Sequence, residues 1–437
     1  MVPAVPLTGG AKLPLAFIGL GLVALGLSVA LMCSQPDLVF QPFLHPRVVA
    51  LVHAFLPGFL LSICMGALYQ LGPVVLNTPL QLRLGAAWWH LWLHGLGTAA
   101  LVAGLHAGRH GWAAAGGTAL SLGVLILVVG ILRTFRRSTR RDTPAWSLVL
   151  AVGWLLVTVS VGILLALNRR SGFIPLSVVD LLKGHAHLGL AGFFLTLLQG
   201  VTFQLIPMFT MGTFCRPRYA AAGLIGTQFA LLLLAPSLAF AWRPGVLMGA
   251  TLLGVAIGCS GIAFVATFRS RRRRKLEPGI LGFATGAGFL AAAAVLGIAI
   301  AFWTGGGAQI LRAISAYGTL AIAGALSLTI LGMLCKIVPF LVWMRVYGSL
   351  VGKRTVPPAP TLGSRQMETA WLVMHVSGIG LLLLAVASGS SIAASAGTGF
   401  LAAGVLCFLG SMARVARHLW QPVPPAAGVA LRPVHVS

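Results

Sequence analysis

Eleven histidines stand in a chain of 437 residues that has only five carboxylates. Two of them head a repeated spacing. His53 is followed by Gly58, Gly66, Gln70 and Pro73 at offsets of 5, 13, 17 and 20, and His187 by Gly192, Gly200, Gln204 and Pro207 at the same four offsets. A third stretch keeps the offsets but changes the head: Thr319, then Gly324, Gly332, Lys336 and Pro339. The glycines have a packing reason, because small residues let helix backbones approach in a membrane, and proline stops a helix. Packing alone gives no reason for imidazole at the head of two copies. Neutral imidazole is a ligand for transition metals, so His53 and His187 are candidate axial ligands of one low-spin b-type haem. His185 points about 200° away from His187 on a helix and is a candidate for a second cofactor, which sets the expectation at one haem b or two. The competing reading is plain: buried imidazoles hydrogen-bonded to neighbouring backbone or hydroxyl groups.

The other reactive side chains carry weaker patterns. His90 and His94 are spaced i, i+4 and share a helix face, which suits a metal ion, with interhelical hydrogen bonding as the alternative. His375 echoes His94, since each precedes a glycine by three residues (Gly378 and Gly97). His45, His110, His418 and His435 fall in loops or at helix ends, where an interfacial imidazole needs no further role. The six cysteines include no C-x-x-C pair, so they read as small buried hydrophobes, and no clear residue set supports copper. Asp37, Asp142, Asp180, Glu277 and Glu368 all lie in loops or at helix ends, leaving no carboxylate chain for proton pumping. Lys183 is placed to meet a haem propionate, and Lys336 to snorkel to water from the position held by Gln70 and Gln204. No phosphate loop or Ser-His-Asp arrangement is present, and no independent enzyme chemistry is visible.

Elements long enough to hold these residues follow from composition. Hydrophobic residues make up 58% of the chain and charged residues 8%, with a mean hydropathy of +0.98, which excludes a soluble protein. Apolar runs predict twelve spanning helices, near 13–33, 48–72, 85–105, 112–132, 145–167, 178–206, 219–240, 244–268, 279–303, 310–340, 369–391 and 396–416. The expectation is therefore an all-α membrane protein over 1–437, built as three pseudo-symmetric four-helix units (about 13–132, 145–268 and 279–416), with the repeat on the second, sixth and tenth spans. Thirty Lys and Arg set a formal charge of +25, but they crowd the even-numbered loops, as in Arg136, Arg137, Arg140 and Arg141, and in the run from Arg271 to Lys275. That is the positive-inside pattern rather than a nucleic-acid surface. It puts both termini in the cytoplasm of a bacterial-type inner membrane, with lipid as the surrounding partner.

Twelve helices in three units of four, with histidine near one end of the second and sixth, resemble the catalytic subunit of haem-copper oxidases and nitric oxide reductases. The segment Gly184-His185-Ala186-His187-Leu188-Gly189, running on to Gly192, Gly200 and Pro207, is similar to the His-x-His helix that ligates both haems in C-type oxidases. In that family the His-x-His lies on the tenth helix, whereas here it lies on the sixth, and the tenth offers Ser315, Tyr317 and Thr319. The seventh span has no histidine pair for a copper centre. The haem- and copper-containing twelve-helix proteins linked to nitric oxide stress share the same general layout. These resemblances imply a haem-binding bundle used for electron transfer or for haem or gas sensing, with a cytochrome or copper protein as redox partner. A copper or haem transporter or assembly factor is the alternative, and a true terminal oxidase subunit comes third.

Overall fold

The computed structural model describes residues 11–421, and His435 lies outside them. Twelve long helices, with no strand among the described residues, form the chain. They are α1 (Lys12–Ser34), α2 (Pro46–Leu76), α3 (Leu84–His106), α4 (His110–Arg137), α5 (Thr143–Ser171) and α6 (Val178–Thr210), then α7 (Pro217–Ala239), α8 (Arg243–Arg269), α9 (Pro278–Phe302), α10 (Ala308–Val346), α11 (Arg365–Ser388) and α12 (Ser391–Arg417). All twelve expected spans are helices, shifted or lengthened by a few residues. Eleven are long and apolar enough to cross a membrane. The remaining one, α3, carries His90, His94 and His106 beside Trp88, Trp89 and Trp92, which lower its hydropathy.

Helices that are hydrophobic all round need interior partners, and the packing sorts them. The most extensive pairings are the hairpins α3–α4, α7–α8 and α11–α12, followed by α1–α2, α5–α6 and α9–α10. Contacts of α4 with α5, α8 with α9 and α12 with α1 then close the circuit. Inside it stand α2, α6 and α10, whose apolar windows are 61%, 72% and 94% buried, against at most 44% for the other eight of the eleven apolar spans. The repeated glycines explain how close they come. A Cβ at Gly66, Gly200 or Gly332 would collide with α1 at Pro14, α5 at Ser147 or α9 at Gly279 and Phe283. One at Gly58, Gly192 or Gly324 would press on Ala24, Trp154 or Phe289 of those same helices.

Two expectations are corrected at the basic end. Proline does not terminate the repeat helices, because losing one amide removes a single backbone bond and leaves the next turn intact. In α2 and α6 the helix runs three residues past Pro73 and Pro207, then stops at Asn77 (φ 47°) and Met211 (φ 53°). The amides of Thr78 and Gly212 donate back to the Pro73 and Pro207 carbonyls, each at 3.0 Å, closing identical C-terminal turns. In α10 the helix continues to Val346. Nor does Lys336 snorkel freely. Its side chain is buried and forms an ion pair with Glu277, which also holds Arg273 at 2.7 Å. Breaking a buried pair from the more exposed side strands the buried charge. Glu277→Gln is therefore expected to destabilise the protein by about 1–3 kcal/mol. Lys336→Gln, which restores the residue of the other two copies and leaves Glu277 its arginine, costs less. Thermal unfolding of both variants in detergent checks the order.

His418 also departs from the interfacial reading. It is buried just beyond α12, with its Nδ1 2.8 Å from the Tyr347 hydroxyl. Burial, with Arg417 and Arg414 beside it, holds its imidazole below the usual histidine range.

Candidate functional site

At the end of the bundle opposite the basic run, α2, α6 and α10 enclose a cavity of about 870 Å³, lined mainly by apolar side chains. That size lies within the range of about 300–1,000 Å³ typical of small-molecule and cofactor sites. His53, His185, His187, Tyr317 and Thr319 all line it. The depth of the histidines is set by the helix starts. Pro46 opens α2 with no amide to satisfy, and Ser177 caps α6 by accepting from the Asp180 amide at 3.4 Å. His53 and His187 then fall about two turns inside.

One device holds both imidazoles. His53 Nδ1 donates to the Val49 carbonyl at 2.8 Å, and His187 Nδ1 donates to the Lys183 carbonyl at 2.8 Å, each four residues back. Because a carbonyl only accepts, each Nδ1 carries the proton and each Nε2 keeps its lone pair. The same backbone-to-Nδ1 bond orients ligating histidines in metal sites.

Directly after these positions the helices change pitch. Ala54–Leu61 in α2, Leu188–Leu195 in α6 and Thr319–Leu326 in α10 are π-helical turns, eight residues each. Proline is not their common cause, since Pro57 in α2 has Ala191 and Ala323 as its counterparts. Each turn is followed by a hydroxyl residue: Ser62, Thr196 or Ser327. Ser62 Oγ donates to the Gly58 carbonyl at 2.6 Å and Thr196 Oγ1 to the Ala191 carbonyl at 3.1 Å, satisfying carbonyls inside the wide turns. Long π-helical turns are rare and concentrate at functional sites. The hydroxyl was a sequence signal that the glycine and proline spacing overshadowed.

The rings pair across helices, and not as expected. His53 faces His185, with ring centroids 6.4 Å apart and planes 9° apart. His187 instead faces Tyr317, at 6.2 Å and 17°. The reason is angular. Two residues along a helix differ in direction by about 200°, so α6, standing between α2 and α10, sends His185 to one and His187 to the other. His185 thus shares the cavity rather than serving a separate pocket. Glycines make room for the rings: a Cβ at Gly162 in α5 would lie 3.1 Å from His185 Cε1, and one at Gly297 in α9 would lie 3.0 Å from Tyr317 Cε2. Counted from the repeat heads, position 0 of one copy meets position −2 of the next in both pairs. The corresponding residues at the α10 and α2 side are Thr319 and Leu51, which carry no ring.

The remaining candidates lie elsewhere. His90 and His94 are fully buried between α3 and α2, where His90 Nδ1 meets the Tyr69 hydroxyl and His94 Nε2 meets Ser62 Oγ, each at 2.8 Å. Their rings stand 6.0 Å apart at 86°. Among the described residues no three His, Cys, Asp or Glu side chains converge to hold a metal ion. His375 Nε2 donates to the Ala323 carbonyl at 3.1 Å, inside the π-helical turn of α10. The echo between His94 and His375 is therefore structural: each lies against a repeat helix, and Gly97 and Gly378 pack on Gly116 and Gly397 of the next helix. Lys183 forms an ion pair with Asp180 at 2.8 Å, and both line the cavity. No protein-family model matches the sequence, and no curated protein matches it.

Proposed function

We propose that the protein is an integral membrane haem protein whose iron is held between His53 of α2 and His185 of α6, and that it serves electron transfer. The spacing of the His53 and His185 rings carries this reading, since an in-plane lone pair of each must reach the same iron. Two imidazoles bound to one metal at about 2.0–2.1 Å put their ring centroids about 6 Å apart. The pair already stands at 6.4 Å with nearly parallel planes. The residues fit the group in two further ways. His53 keeps its Nε2 free by giving Nδ1 to Val49, and the buried His185 ring takes no hydrogen bond from another side chain. Apolar walls suit a macrocycle, and the Lys183–Asp180 pair at the rim offers a cation for a propionate. A bis-histidine haem supplies one-electron chemistry. The chain supplies orientation through the Val49 carbonyl and exclusion of water by the apolar lining.

The same reading takes the chain as three four-helix units about a pseudo-threefold axis. The circuit of α4–α5, α8–α9 and α12–α1 contacts supports it, as do the glycine seats on α1, α5 and α9 and the π-helical turn in every copy. A bacterial-type inner membrane with cytoplasmic termini follows from the basic loops. The test is a reduced-minus-oxidised optical spectrum of protein purified after haem-replete expression, with haem and metals quantified on the same sample. A sharp α-band at one haem per chain is expected; a featureless spectrum, or bound copper alone, overturns the reading.

A further inference from the structure

The second facing pair has the spacing of the first but different chemistry. Tyr317 Oη lies 3.4 Å from His187 Nε2, so the imidazole lone pair is met by a phenol proton. A phenol binds a metal ion as phenolate, and charging it in an apolar site is costly. A neutral ligand with hydrogen-bonding oxygens is the better match. Tyr317 can donate to a carbonyl oxygen, and His187 Nε2 can accept from a hydroxyl, so one pair serves a quinone and the corresponding quinol alike.

The cavity beside this pair has an apolar wall long enough for a tail. Its wall follows α8 from Val246 through Ala250 to Ile257 and α9 from Ala294 through Ile298 to Ala301. Twelve residues of helix, Val246 to Ile257, make a wall about 16 Å long. No ionisable side chain lies on these stretches of α8 and α9. From these observations we infer that His187, Tyr317 and the α8–α9 slot bind an isoprenoid quinone, with the head group on the histidine–tyrosine pair and the tail along the slot. The binding stands by itself. Only its service as electron donor rests on the haem reading, under which the head group sits two residues along α6 from the iron ligand His185.

The test is titration of quinone-free purified protein with decylubiquinone, followed by quenching of tryptophan fluorescence, since Trp303 lines the cavity. Duroquinone, which has a head group and no tail, is titrated in parallel. Saturable decylubiquinone binding is expected. Tyr317→Phe should weaken it about tenfold, the loss of one hydrogen bond. Ala294→Phe should remove the advantage of decylubiquinone over duroquinone, and melting temperatures show that both variants are folded. Gly26→Ala, whose added methyl group meets no atom within 4 Å and lies outside the cavity lining, should leave binding within about twofold. No saturable binding to the wild type, or binding that both Tyr317→Phe and Ala294→Phe leave unchanged, overturns the inference. So does a second haem that is lost with His187→Ala. Tyr317-dependent quinone binding in a protein without any haem would sink the electron-transfer reading and leave this one standing.

Discussion

Under the proposed haem site, His185→Ala is expected to abolish the low-spin haem spectrum of the purified protein, and His187→Ala to leave it in place. Spacing alone predicts the opposite pairing, because His53 and His187 occupy the same repeat position. The ring placement favours the proposed pair: the ring beside His53 at 6.4 Å is that of His185, while His187 stands beside Tyr317. In the proposed site, loss of either imidazole would leave the iron with one protein ligand, so His53→Ala should match His185→Ala. Gly162→Leu offers a second readout without replacing a ligand. Its side chain would push on His185 Cε1, which already lies 3.1 Å from an added Cβ, and should shift or weaken the α-band. Spectra of the four variants at equal protein concentration check all of this. An α-band that survives His185→Ala but not His187→Ala would return the site to the pairing expected from the repeat.

Gly332→Ala is expected to cost the protein its stable fold, whereas Gly26→Ala is neutral or slightly stabilising. Both glycines lie inside long helices, where alanine is favoured over glycine by about 1 kcal/mol. Tertiary contact reverses the sign at Gly332. A methyl group there falls 2.9 Å from the Phe283 amide nitrogen and closer still to the Gly279 carbonyl oxygen, both of them backbone atoms that cannot rotate away. Overpacking of this kind costs about 1–3 kcal/mol or more, and here it would part α9 from the most deeply buried helix. At Gly26 no atom lies within 4 Å of the added carbon. Size-exclusion profiles and melting curves should show a lower, broader transition for Gly332→Ala and an unchanged one for Gly26→Ala. Equal melting temperatures would remove the close α9–α10 approach as a source of stability.

Much of the architecture was legible in the residues. Twelve apolar runs marked twelve helices, since a bilayer core admits only segments that satisfy their own backbone. The offsets from His53, His187 and Thr319 singled out α2, α6 and α10, which are the three innermost helices. Less was legible about the ends and the charges. Proline looked like a terminator but is passed in all three repeat helices, and Lys336 looked solvent-seeking until Glu277 of the neighbouring helix met it. The π-helical turns had a signal in the shared hydroxyl position of Ser62, Thr196 and Ser327, of which Ser62 and Thr196 bond back into the turn. It was too short to stand out among the other serines and threonines of spanning helices.

Composition and spacing by themselves determined that this is a polytopic helical membrane protein, where its core helices lie, and which histidines share the end opposite the basic loops. Those properties depend on hydrophobic length, charge and helical periodicity, all of which are local. Only the tertiary structure decided which rings face one another. His185 and His187 are two residues apart, and a helix turns them about 200° from each other, so their partners depend on where α2 and α10 stand around α6. That placement comes from glycine seats on α1, α5 and α9, contacts between residues far apart in the chain that no local pattern encodes.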